Sequence, residues 1–130
     1  MLVTAKPNEA IRVLNNPDGE CIVYAGDMGP SDAVVELARG TELLILEATL
    51  DTSEFDDERR GHLTTEEAID HVVRAGVPRG ILVHYPIEQR DRILAVCAGT
   101  NGRVVPALPG TVVDVSRGIA PTVTTPGWPA

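Results

Sequence analysis

The stretch CIVYAGDMGPSD, residues 21–32, decides the fold, because in it an apolar run ends on a carboxylate, Asp27, at a glycine turn. Two later apolar runs end in the same way: LLILEAT carries Glu47, and GILVHYP carries His84. Short apolar runs bounded by turn residues are typical of strands buried in a parallel sheet. We therefore expect three strands that each deliver one ionisable side chain at the carboxyl end, where α/β sheets usually bind ligands.

Length and composition favour one globular domain. The chain has 130 residues, enough for one core, and a formal net charge of −8. That charge argues against a general nucleic-acid-binding surface, which needs clustered lysine and arginine. No apolar run approaches the roughly 20 residues of a membrane span, and no secretory pattern begins the chain, so a cytoplasmic location is expected. Cys21 and Cys97 lie in apolar runs and are expected to pack as small hydrophobes.

Turn and capping residues divide the chain into elements. AIRVLNN and CIVYAGD flank the turn residues 17–19 and predict a β-hairpin. Ser31 is a good N-cap for a short helix, and Thr64 with Glu67 has the spacing of a capping box that begins a second helix. The pattern further predicts a helix over 88–98 and short strands near 103–106 and 111–115.

Helices that alternate with apolar strands predict an α/β layered domain with right-handed crossovers. The first hairpin and the two last strands favour a mixed sheet over a flavodoxin-like parallel sheet, which stays as the alternative. The charged segment 51–61 is expected to be a solvated loop. The domain is expected over residues 1–115, and residues 116–130, rich in Pro, Thr and Gly, are expected to be an extended or disordered tail.

Each ionisable candidate has an ordinary structural alternative. Asp27 and His84 either bind a cation such as Zn²⁺ or Mn²⁺, or are a turn residue and a satisfied, partly buried histidine. Glu47 either accepts a histidine N–H or pairs with an arginine of the charged loop. His62, just before a helix, either shuttles protons near neutral pH or is an exposed loop histidine. His71 is expected at the surface of its helix.

The order of these motifs resembles one protein family. VYAGDMGPSDAVVELARGTELLILEAT, followed by GHLTTEEAIDHVVRAGVPRGILVHYP, is similar to the C-terminal half of metallo-β-lactamase-fold hydrolases. The nearest branch is that of the ribonuclease Z-like phosphodiesterases, and the resemblance covers roughly residues 6–115. It implies half of a four-layer αββα fold, with a mixed sheet, an N-terminal hairpin and helices on one face.

The resemblance also implies roles for the candidate residues. Asp27 would bridge two metal ions, zinc or manganese, and His84 would bind one of them. His62 would donate a proton or orient the scissile phosphate, and Glu47 would hold a histidine in place. His62 and Glu47 are thus the expected catalytic pair, Asp27 and His84 are the expected metal ligands, and the expected substrate is a small phosphodiester or ester.

Three features depart from the family pattern. The His-x-His-x-Asp-His motif of the N-terminal half does not occur, Lys6-Pro7 stands where His-Pro is common, and Met28 stands where a threonine usually follows Gly-Asp. Two ligands fall short of the three or four of known zinc sites. We therefore expect activity to require a chain that supplies the missing half, or a homodimer mate. The alternative is a non-catalytic half-domain that dimerises through an exposed sheet face.

Overall fold

A computed structural model describes residues 2–3, 10–14, 21–52, 60–116 and 119–125. Within them a mixed sheet has the strand order β1-β2-β3-β4-β5-β6, and β7 and β8 form a separate two-stranded sheet. The elements are β1 (Leu2–Val3), β2 (Ala10–Leu14), β3 (Cys21–Ala25), α1 (Asp32–Ala38), β4 (Leu43–Glu47), α2 (Thr65–Ala75), β5 (Arg79–Val83), α3 (Arg90–Ala98), β6 (Val104–Pro106), β7 (Val112–Ser116) and β8 (Ile119–Thr124). None of the described helices is long and apolar enough to cross a membrane.

The sheet is mixed, as the sequence predicts. Strands β1, β2 and β3 pair antiparallel, whereas β3 to β6 pair parallel. The predicted hairpin is therefore present as β2 and β3, although its turn residues lie outside the described residues. The three parallel strands β3, β4 and β5 end at the same edge, and that edge carries Asp27, Glu47 and His84.

Local capping signals account for the helices. The Ser31 hydroxyl accepts from the backbone N–H of Val34 at the start of α1, and Thr64 with Glu67 forms a complete capping box at the start of α2. Gly76 ends α2 in the left-handed conformation that glycine tolerates. The predicted third helix begins at Arg90, after a 3₁₀ turn over Ile87–Gln89.

All three helices pack on one face of the sheet, as the fold class predicts. Val23, Leu44 and Leu82 point from adjacent strands into a fully buried core. Gly80 of β5 pairs with Leu44 and lets α2 approach the sheet closely, since a Cβ added there would fall 2.5 Å from a methyl carbon of Val72. On the opposite face, Tyr24 is 45% exposed.

The segment after residue 115 was expected to be extended or disordered. Strand β8 lies within that segment and pairs antiparallel with β7, with a register shift between Asp114 and Ser116. The two strands form a hairpin apart from the main sheet, and the Arg79 side chain donates to the carbonyl of Pro121 at 2.9 Å. The domain boundary itself stays a prediction.

The surface position predicted for His71 is wrong. The residue is 2% exposed; its Nδ1 lies 2.7 Å from the carbonyl of Glu67, and its Nε2 accepts from the backbone N–H of Ser31 at 3.0 Å. The helical period places His71 beside the apolar stripe, and the start of α1 then covers it. His71 is a structural residue that ties α2 to the loop after β3.

Candidate metal centre

Glu47, the last residue of β4, is the common acceptor of the site. Its side chain is 2% exposed, and both of its carboxylate oxygens are engaged. Oε1 accepts from the backbone N–H of Met28 at 3.1 Å and lies 2.9 Å from Nδ1 of His62. Oε2 accepts from the backbone N–H groups of Thr49 at 3.0 Å and Leu63 at 3.2 Å. One carboxylate therefore joins the loop between β3 and α1 to both ends of the connection between β4 and α2.

These contacts decide between the two alternatives for Glu47 that the sequence left open. Its ring partner is His62, whereas the loop arginine Arg60 pairs with Glu67 at 2.6 Å. A buried carboxylate needs such partners because its desolvation is otherwise costly. Glu47 thus contacts the ring of His62 from the interior, and the role that the resemblance implies for this pair stays a prediction.

Asp27 and His84 lie together at the exposed side of the same edge. Their side chains are 65% and 62% exposed, and Oδ1 of Asp27 lies 3.5 Å from Nδ1 of His84. The ring centroids of His62 and His84 are 6.4 Å apart. Three strand ends and the loop before α2 therefore bring all four predicted site residues to one place, with Glu47 buried, His62 partly exposed, and Asp27 and His84 exposed.

Arg60 holds the loop of His62 against helix α2. Its guanidinium donates to Oε1 of Glu67 and, at 3.4 Å, to the carbonyl of His62. Partial burial raises the pKa of the Glu67 carboxyl, but the hydrogen bond from Arg60 and the backbone N–H of Thr64 outweigh it, so the pKa is lowered overall.

The lowered pKa of Glu67 predicts a loss of stability in acid. Its contribution is complete above the unfolded-state pKa of about 4.3 and disappears as the pH falls through the lower folded-state pKa. Glu67→Gln should lower the free energy of unfolding by about 1 kcal/mol at pH 7, the order typical of a helix cap. Urea unfolding from pH 7 to pH 2.5 checks this, and a difference between the proteins that stays constant over that range would contradict it.

The donor set fits part of a metal site. Ligand atoms of Asp27, Glu47 and His62 all lie within 4.8 Å of one another, and carboxylate oxygen with imidazole nitrogen suits zinc or manganese. Glu47 is committed to its hydrogen bonds, whereas Asp27 and His84, the two ligands that the resemblance implies, are exposed. Met28, beside Asp27, is fully buried and packs in the core.

Solved structures show the fold class. Over 82% of this chain and 49% of its own chain, the metallo-β-lactamase fold protein YhfI from Bacillus subtilis superposes with a TM-score of 0.63 at 24% identity. Human tRNase Z, short form, superposes over 75% of this chain and 34% of its own, with a TM-score of 0.53 at 26% identity. The structure thus has the metallo-β-lactamase fold that the motifs predict.

The sequence comparisons show the family. The Beta-lactamase superfamily domain matches residues 4–85, and the chain belongs to this superfamily. Ribonuclease Z of Ignicoccus hospitalis is 42% identical over 72 residues, which are 54% of this chain and 24% of the relative. Ribonuclease BN of Escherichia coli K12 is 37% identical over 75 residues, 57% of this chain and 25% of the relative. The chain spans about a quarter of the length of these curated relatives, and the predicted resemblance to the ribonuclease Z branch is confirmed.

Sequence analysis missed one residue of the site. The hydroxyl of Thr49 contacts both the carbonyl and the ring of His84, and its backbone N–H donates to Glu47. The available signal was its position two residues after the strand-ending carboxylate, where a short hydroxyl side chain can reach the end of the next strand.

Proposed function

We propose that this chain contributes part of the active site of a metal-dependent hydrolase that cleaves phosphodiesters. The observation that carries the proposal is the contact of buried Glu47 with partly exposed His62, beside the exposed Asp27–His84 pair, at the edge where three parallel strands end. Family membership supports it, because this family is metal-dependent and zinc is its typical ion.

The two pairs divide the chemistry between them. Asp27 and His84 would hold a metal ion, which when bound acts as a Lewis acid and lowers the pKa of a bound water. Glu47 accepts from Nδ1 of His62 and orients the ring, so proton exchange with the substrate would use Nε2. His62 would then donate a proton to the leaving oxygen.

The expected substrate is a small phosphodiester or ester. Two relatives of the chain are named as ribonucleases, which favours a phosphodiester bond as the scissile group. The net charge of −8 disfavours a long nucleic acid bound along the surface of this chain. Metal ions would supply the local positive charge that a phosphate group requires.

The remaining metal ligands must come from outside these residues. Of the three histidines in the sequence, His71 is committed to the core, which leaves His62 and His84 at the site. We propose that a histidine-rich half of the His-x-His-x-Asp-His type supplies the others, with a homodimer mate as the second source.

The test is zinc and manganese titration calorimetry on the wild-type chain, Asp27→Ala and His84→Ala. We expect binding near micromolar, about −8 kcal/mol, and a loss of at least tenfold in both variants. Asp70→Ala is the matched control, because its carboxylate is 57% exposed and lies on helix α2. Binding by this chain alone would favour a homodimer mate as the source of the remaining ligands. Absence of binding would contradict a metal site formed without a second half, and would leave half of an enzyme or a non-catalytic module that dimerises through the sheet face of Tyr24, which is 45% exposed.

A further inference from the structure

Thr49 connects the two pairs of the candidate site. Its backbone N–H donates to Oε2 of Glu47 at 3.0 Å, on the buried side. Its hydroxyl oxygen lies 2.9 Å from the carbonyl oxygen of His84 and 3.1 Å from Nδ1 of the same residue, on the exposed side. One small residue therefore contacts both the proton-transfer pair and a proposed metal ligand.

The two hydroxyl contacts fix where the protons lie. A hydroxyl has one proton, and a carbonyl oxygen can only accept, so the Thr49 proton is directed to the carbonyl of His84. The second contact, between Oγ1 and Nδ1, is a hydrogen bond only if the imidazole proton is on Nδ1. The carboxylate of Asp27, 3.5 Å from Nδ1, favours a proton on the same nitrogen.

The backbone conformation of His84 also depends on the Thr49 hydroxyl. Its φ angle is +52°, in the left-handed region that residues with a side chain rarely adopt. The hydrogen bond from Thr49 to the His84 carbonyl holds this conformation where β5 ends. Thr49 thus fixes the direction in which the strand presents its histidine as well as the proton on the ring.

We propose that Thr49 is a positioning residue that holds His84 in the Nδ1–H tautomer and so keeps the lone pair on Nε2 for a divalent cation such as Zn²⁺. The inference rests on the proposed function for the identity of the ligand, but the tautomer is a property of this chain alone. Metal-binding histidines commonly donate their second ring N–H to a protein acceptor, and loss of that partner weakens metal binding 10- to 100-fold.

The first experiment observes the tautomer without metal. Long-range ¹H–¹⁵N NMR correlation spectra of histidine-labelled protein are recorded at pH 8 for the wild type, Thr49→Val and Thr49→Ser. We expect the proton of His84 on Nδ1 in the wild type and in Thr49→Ser, and a mixture of both tautomers in Thr49→Val. His71 is the internal reference, because its Nδ1 proton is directed to the carbonyl of Glu67 in all three proteins.

The second experiment measures zinc affinity by titration calorimetry. Thr49→Val should bind Zn²⁺ at least tenfold more weakly than the wild type, and Thr49→Ser should bind within about threefold of it. Valine preserves the shape of threonine, whereas serine lacks its methyl group. If lost packing alone lowered the zinc affinity, Thr49→Ser would therefore bind zinc more weakly than Thr49→Val.

The two readouts separate this inference from the proposed function. A His84 proton on Nε2 in the wild type overturns the inference whatever the metal affinity, and this holds even if Thr49→Val fails to fold. A tautomer that does not change in a folded Thr49→Val also overturns it. The expected tautomers without zinc binding to any protein would support the positioning role and contradict a zinc site formed by this chain alone.

Discussion

Glu47→Ala is expected to lower the free energy of unfolding by about 3–5 kcal/mol, because it removes the common acceptor of the site. The backbone N–H groups of Met28, Thr49 and Leu63 would each lose their partner. Glu47 is 1% exposed, so little water can replace the carboxylate. Each buried donor left without a partner costs about 1–3 kcal/mol. Urea unfolding followed by circular dichroism measures the change.

Two further variants define the origin of this loss. Glu36→Ala is the control, since Glu36 has a side chain 68% exposed and pairs with Arg39 across one helical turn; its change should stay within about 0.5 kcal/mol. Glu47→Gln should lower the free energy of unfolding by an amount between those of Glu36→Ala and Glu47→Ala. The amide oxygen of glutamine can still accept a hydrogen bond, whereas its NH₂ group faces donors and cannot. Equal losses for Glu47→Ala and Glu36→Ala would show that the buried carboxylate is not important for the fold.

Gly29→Ala is expected to displace the loop that carries His62. A Cβ at Gly29 would lie 1.8 Å from the carbonyl oxygen of Arg60 and 2.6 Å from its carbonyl carbon. Both atoms belong to the backbone, so no side-chain rotation relieves the overlap, and the loop must move. We expect a loss of about 3 kcal/mol, at the upper end of what overpacking usually costs. Urea unfolding gives the stability, and the NMR signals of His62 report the loop.

Gly26→Ala is the matched control for this variant. A Cβ at Gly26 meets no atom within 4 Å, although Gly26 adjoins Asp27 in the same turn. Its unfolding free energy should therefore change by less than about 0.5 kcal/mol, as is usual for surface substitutions. If Gly29→Ala is as stable as Gly26→Ala and keeps the wild-type His62 signals, the close contact between Gly29 and the backbone of Arg60 is contradicted.

Features encoded by neighbouring residues could be predicted from the sequence. The capping box of Thr64 and Glu67 and the N-cap Ser31 lie within four residues of the groups they satisfy, and both helices begin where expected. Strand ends were predictable for a similar reason, since an apolar run shows its own boundary. The parallel order of those strands then brings Asp27, Glu47 and His84 to one edge.

Contacts between distant segments could not be predicted in this way. His71 looks like a surface residue within its own helix, and only the start of α1, about 40 positions away, shows that it is buried. Thr49 and His84 are 35 positions apart, and their hydrogen bond depends on a left-handed backbone that no local motif indicates. The pairing of Glu47 with His62 likewise depends on which loop lies beside Glu47 in the folded chain.

The common acceptor at Glu47 has a consequence for how this edge of the sheet opens. The amide group of Met28 comes from the loop between β3 and α1, and those of Thr49 and Leu63 come from the two ends of the connection between β4 and α2, yet all three donate to the same two oxygens. Withdrawal of either loop would expose the carboxylate to water and weaken its hydrogen bonds to the other. We therefore expect this edge of the sheet to open as one cooperative unit, in which the contacts of Met28, His62 and Leu63 with Glu47 are lost together.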